Sequence, residues 1–82
     1  MKIVIKTYKN KISAASETFF QLDVDDSYTT EKIKADIQTK TNIAVDKQSL
    51  FIKGKPIEDG TRISNYQIKK DSILHMVYQG TL

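Results

Sequence analysis

Asp25–Asn42, DDSYTTEKIKADIQTKTN, is where the periodicity of this chain changes. Within it Ile33 and Ile37 lie one helical turn apart, and Thr30 and Thr41 extend the same face. Lys32, Asp36 and Lys40 fall elsewhere. The Thr29 hydroxyl can accept from the free amide hydrogens of a first turn, and Asn42 can take the left-handed conformation that ends one. The spacing therefore predicts a helix of about 12 residues.

Outside this stretch the period is two. In MKIVIKTY, Met1, Ile3 and Ile5 face one way and Lys2, Val4, Lys6 and Tyr8 the other, as in a half-buried strand. FFQLDV resumes the alternation with Phe20, Leu22 and Val24 inward. Two such runs in succession predict an antiparallel hairpin. Residues 9–18 between them are polar and aperiodic and read as an extended flexible loop. About seven extra residues there cost little, because closure entropy grows only logarithmically. Beyond the helix, QSLFI is a short strand with Leu50 and Ile52 inward, KG a turn, and IEDGTRISNYQI an irregular arm turning at Asp59-Gly60. SILHMVY alternates again, with Leu74, Met76 and Tyr78 inward and Ile73, His75 and Val77 outward. The order predicts an α+β fold, with one main helix on one face of a mixed four- to five-stranded sheet.

Composition bounds what this fold can do. A chain of 82 residues is one small domain that buries about 60–65% of its unfolded surface. With no cysteine there is no disulfide framework, thiolate nucleophile or thiolate zinc site. No apolar run approaches the roughly 20 residues of a membrane span, and the strand pattern begins at residue 1 without a signal peptide. A soluble cytoplasmic or nuclear monomer that does not engage membranes is expected. The net charge of +3 comes from lysines interleaved with acids, so no nucleic-acid partner is expected. The sole histidine, His75, has no nucleophile or carboxylate placed with it by spacing. Asp25-Asp26 and Glu58-Asp59 suit turns and caps better than a catalytic pair. No enzyme activity, catalytic residue, metal or cofactor is expected.

One resemblance covers nearly the whole chain. MKIVIKT, KIKADIQTKTNI and above all GKPIEDGTRISNYQI followed by LHMV at fixed spacing resemble the ubiquitin family. The only insertion is in the first hairpin loop. The resemblance implies the β-grasp fold for a single ubiquitin-like domain spanning residues 1–82, with 79–82 as a short tail. It implies that Lys34, on the apolar side of the helix, reaches Asp59, and that the Tyr66 hydroxyl ties down the Glu58–Asp59 loop.

It also gives the outer face a meaning. By strand parity Tyr8, Phe51, His75 and Val77 point to solvent; paired as in the family, they converge into an exposed apolar patch rimmed by Lys6, Lys55 and Gln79. These are the positions of the family's main recognition patch. The partners implied are proteins with ubiquitin-binding surfaces, held at micromolar strength, or other domains of a longer parent chain. Two arginines that border the family's patch are replaced here by Ser49 and Gln79, and Tyr8 and Phe51 are bulkier than the family's residues, so generic ubiquitin readers are expected to bind weakly.

The tail departs further. Gly80 lies three residues beyond Val77, where the family's conjugated glycine lies six beyond. At about 3.3–3.6 Å per extended residue, Gly80 falls roughly 10 Å short. The Thr81-Leu82 ending lacks the paired glycines that thread past a catalytic thiol. Two functions follow from the resemblance. One is a protein-binding module in ubiquitin-type signalling that is not conjugated in the usual way. The other is a unit of a polyubiquitin-like precursor, released and attached as a modifier by an atypical route. Lys6, Lys11, Lys34, Lys40, Lys55 and Lys70 fall where the family carries chain-forming lysines.

Overall fold

The computed structural model describes residues 1–12 and 18–79. The inserted-loop residues 13–17 and the tail residues 80–82 lie outside them, and with them half of the expected 9–18 loop and all of the expected 79–82 tail but Gln79.

Strands β1 (Lys2–Lys9) and β2 (Thr18–Asp23) form the antiparallel hairpin, with Ile3 opposite Leu22 and Ile5 opposite Phe20. Helix α1 (Thr30–Thr41) follows. Its cap at Thr29 accepts from the Lys32 amide at 3.3 Å, and Asn42 closes it in the left-handed region, donating its own amide to Gln38. Strands β3 (Gln48–Ile52), β4 (Lys55–Pro56) and β5 (Ile73–Tyr78) complete the sheet among the described residues. The order is β2-β1-β5-β3-β4, with β1 and β5 parallel and the other pairs antiparallel. This is the β-grasp arrangement, with the first and last strands side by side at the centre.

The inner face is sealed. Ile3, Ile5, Leu50, Leu74 and Met76 from the sheet form one buried cluster with Ile33 and Ile37 from the helix. The arm after β4 is less irregular than its composition suggests. Ile63–Tyr66 forms a 3-10 turn that buries Ile63, and Thr29 and Arg62 form a β-bridge. The Thr61 carbonyl accepts from Thr30 at 2.9 Å and the Tyr28 carbonyl from Ile63 at 2.9 Å. Such i to i+3 turns carry no hydrophobic period, which is why the stretch reads as loop in the sequence.

Polar clasps fix the arm to the helix. Lys34 Nζ reaches Asp59 Oδ1 at 2.8 Å, the lysine buried and the carboxylate exposed. The Glu58 amide donates to the Tyr66 hydroxyl at 3.0 Å, and Glu31 accepts from the Gly60 amide at 2.7 Å. Gly60 has φ +82°, where a side chain would be strained.

Candidate functional site

The four outward residues do converge. In the parallel β1–β5 register Tyr8 sits opposite Val77 and Lys6 opposite His75; in the antiparallel β3–β5 register Phe51 sits opposite His75 and Ser49 opposite Val77. Directly opposed side chains share a face, so a Tyr8, His75, Val77 and Phe51 cluster is forced by the pairing.

Their exposure differs from the parity expectation. Phe51 and His75 are half-buried, but Tyr8 is only 5% and Val77 only 7% exposed. Two causes are visible. The Tyr8 hydroxyl lies 2.8 Å from His75 Nδ1 with the rings 5.5 Å apart and tilted by 37°, so the tyrosine lies against the imidazole rather than standing into solvent. The chain beyond β1 also turns over this face. The Asn10 amide donates to the Tyr78 carbonyl at 2.8 Å, and Asn10 itself is left-handed at φ 72°. Asn10, Lys11 and Ile12 then line a shallow hollow of about 290 Å³ with Ser49, Phe51, Val77 and Gln79. Parity reports which side of a sheet a residue is on; it cannot report what else folds over that side.

The rim is also redistributed. Lys6 is half-buried beside His75, and Gln79 is exposed at the hollow. Lys55 is not part of this rim. It pairs with Ile52, an inward residue, and lines a hollow with Lys53, Asn65, Tyr66 and Gln67, adjoining but not including His75. Its place beside His75 is taken by Lys53, which shares a hollow with Asp71, Ser72 and Ile73. Sequence reading missed Ile12, because an isolated apolar residue in an aperiodic loop gives no signal, and Lys53, which sits left-handed at φ 51° in the turn before β4.

Burial, and secondarily the positive charge of Lys6, hold the His75 pKa below its ordinary value of 6.5. Neutral His75 can accept the Tyr8 hydroxyl proton at Nδ1 or donate from it; the imidazolium can only donate. In either form Nδ1 is engaged by the Tyr8 phenol. No set of three metal-ligating side chains occurs among the described residues. Of the lysines at chain-forming positions, Lys11, Lys40, Lys55 and Lys70 are exposed, Lys6 is half-buried, and Lys34 is held in its ion pair.

The ubiquitin family model matches residues 3–79, which covers all of the strands and the helix but Lys2 of β1, and the whole of this cluster. The chain belongs to the ubiquitin family. A relative in Arabidopsis thaliana, Protein DNA-DAMAGE INDUCIBLE 1, is 29% identical over 66 residues. The match covers 80% of this chain but 16% of that protein, so this ubiquitin-like domain spans about a sixth of its relative's length.

Proposed function

We propose that this ubiquitin-like domain is a protein-binding module that docks partners on the outer sheet face around Phe51 and His75. The observation that carries the reading is the hollow at that face. Half-buried Phe51, buried Val77 and the exposed side of Ile12 supply apolar surface, and its lining includes Lys11 but no carboxylate. Aromatic anchors set in partly desolvated hollows are where binding energy concentrates. A surface this small suits micromolar affinity, and the domain is proposed to act as a monomer in the cytoplasm or nucleus. The short match to a much longer relative supports a module carried within a larger protein.

The modifier reading draws on the exposed Lys11, Lys40, Lys55 and Lys70. It ranks second because Ser49 and Gln79 replace the arginines that border the family's patch. One pair of experiments separates the readings. In a chemical-shift titration with ubiquitin-binding helical domains, the amides of Phe51, His75 and Val77 should move, and Phe51→Ala should weaken binding about thirtyfold, or about 2 kcal/mol. Incubated with ubiquitin's activating enzyme and ATP, the chain should form no thioester. A thioester on the unaltered chain would promote the modifier reading; equal binding by Phe51→Ala would move the interface elsewhere.

A further inference from the structure

Tyr8 sits opposite Val77 in the strand register but bonds diagonally, its hydroxyl 2.8 Å from His75 Nδ1. Between a phenol and a neutral imidazole, the hydroxyl is the better donor and the bare ring nitrogen the better acceptor. Tyr8 therefore donates, and the ring's own proton sits on Nε2. That second nitrogen has no hydrogen-bond partner among the described residues. The buried side-chain polar atom left unpartnered there is Gln48 Oε1, so Nε2–H is open to solvent. It lies on the outer face beside half-buried Phe51, which sits opposite His75 across β3 and β5.

The charges around the ring come from three elements. Lys6 faces it from β1. Lys53, in the turn before β4, and Asp71, in the arm before β5, share its hollow of about 300 Å³. From β3 comes the uncharged Phe51, and β5 itself carries no other charged residue. Neither lysine is held in an ion pair among the described residues. Two cations against one carboxylate favour an incoming negative charge over a further positive one.

We propose that Tyr8 presents His75 as an outward Nε2–H donor that selects partner segments placing a carboxylate beside Phe51, and that docking such a segment takes up a proton from solvent at His75. This rests on the docking surface proposed above and names the partner chemistry it accepts. In the free chain burial and Lys6 keep the ring neutral near pH 7. A docked carboxylate reverses the balance. It accepts from Nε2, while the Tyr8 oxygen, now an acceptor, holds the new proton at Nδ1. Tyr8 is thus a positioning residue that serves both forms of the ring. A partner amide at the same point keeps the Nε2 bond but gains no charge-assisted one, and a partner lysine meets like charge. Affinity for the carboxylate segment rises on acidification, because the complex binds the proton more readily than the free chain does. Affinity for the amide segment does not, because its imidazolium would be covered without a counter-charge.

Two measurements test this. In the free chain above about pH 7.5, long-range proton–nitrogen correlation of the ring should place the proton on Nε2, and Tyr8→Phe should bring in the Nδ1–H tautomer. The second is a chemical-shift titration of the whole chain with a blocked amphipathic helical peptide whose leucine face carries one central glutamate, beside the same peptide with glutamine there. Both peptides should move the Phe51 and Val77 amides. Between about pH 7.5 and about pH 5.5, where glutamate stays ionised, the glutamate peptide should gain at least threefold in affinity and the glutamine peptide should gain none. Tyr8→Phe should reduce that gain by more than half, and His75→Gln should abolish it. A ring protonated on Nδ1, equal pH dependence for the two peptides, or a Tyr8→Phe chain with tautomer and pH profile both unchanged would overturn the proposal and leave the docking surface standing. Failure of both peptides to move the Phe51 and Val77 amides would overturn the two together.

Discussion

The two faces of the central sheet are built from alternate residues of the same strands, yet they obey different rules. On the inner face Ile3, Ile5, Leu74 and Met76 are fully buried under the helix. On the outer face exposure is graded, from buried Tyr8 and Val77 through half-buried Phe51 and His75 to exposed Ile73 and Phe19. A sealed face tolerates little change, because removed volume leaves a cavity that close-packed neighbours cannot fill. A graded face leaves part of its apolar surface open to water. The difference teaches that apolar content alone does not mark a core; closure by a second layer does.

The sharpest way to break this comparison is to truncate one residue on each face. Leu74→Ala should lower stability by about 2–5 kcal/mol in chemical denaturation. Phe51→Ala should cost about 1 kcal/mol or less, since its neighbours are already partly hydrated. Equal losses would mean the outer face is as much core as the inner.

The next effect concerns the polar clasp. Asp59→Ala strands the buried Lys34 ammonium and should cost about 2 kcal/mol, discounted from a fully buried pair because the carboxylate is exposed. Lys34→Met should cost less, since the remaining Asp59 carboxylate stays solvated. Thermal denaturation of both variants checks the order; a larger loss for Lys34→Met would reverse the assignment of which partner is the buried one.

Tyr8→Phe sharpens the outer face. Removing the hydroxyl should cost about 1 kcal/mol through the lost bond to His75. The histidine ring resonances should move while the inner-face methyl signals of Leu74 and Met76 stay in place.

The smallest effect is with pH. His75 titrates below its ordinary value of 6.5 in the folded chain, so the unfolded chain binds the extra proton more readily. The contribution to stability is fully present above about pH 6.5 and is lost as pH falls through the folded value. Denaturation midpoints should therefore decline on acidification below that point, and His75→Gln should flatten this part of the profile. A midpoint that rises in that window for the unaltered chain would invert the sign and place a carboxylate beside the ring.

Much of the fold was legible because period and local chemistry act over a few residues. The spacing of Ile33 and Ile37 between Thr29 and Asn42 determined the helix and both its ends. The two-residue alternation in β1, β2 and β5 determined which side chains enter the core. The irregular arm was not legible, since its 3-10 turn and its bridge to Thr29 are recognised only through partners more than thirty residues away in sequence, such as Tyr28 for Ile63.

The site divides along the same line. Parity and the resemblance to ubiquitin chose Tyr8, Phe51, His75 and Val77 from the sequence, and strand pairing sets them side by side. Only tertiary structure decided that Tyr8 and Val77 are covered, that Ile12 joins the hollow, and that Lys53 shares a hollow with His75. The physical reason is range. Side-chain direction along a strand is set by the backbone's own geometry, residue by residue. Burial is set by whatever chain returns to cover the surface, and no local pattern records which segment that will be.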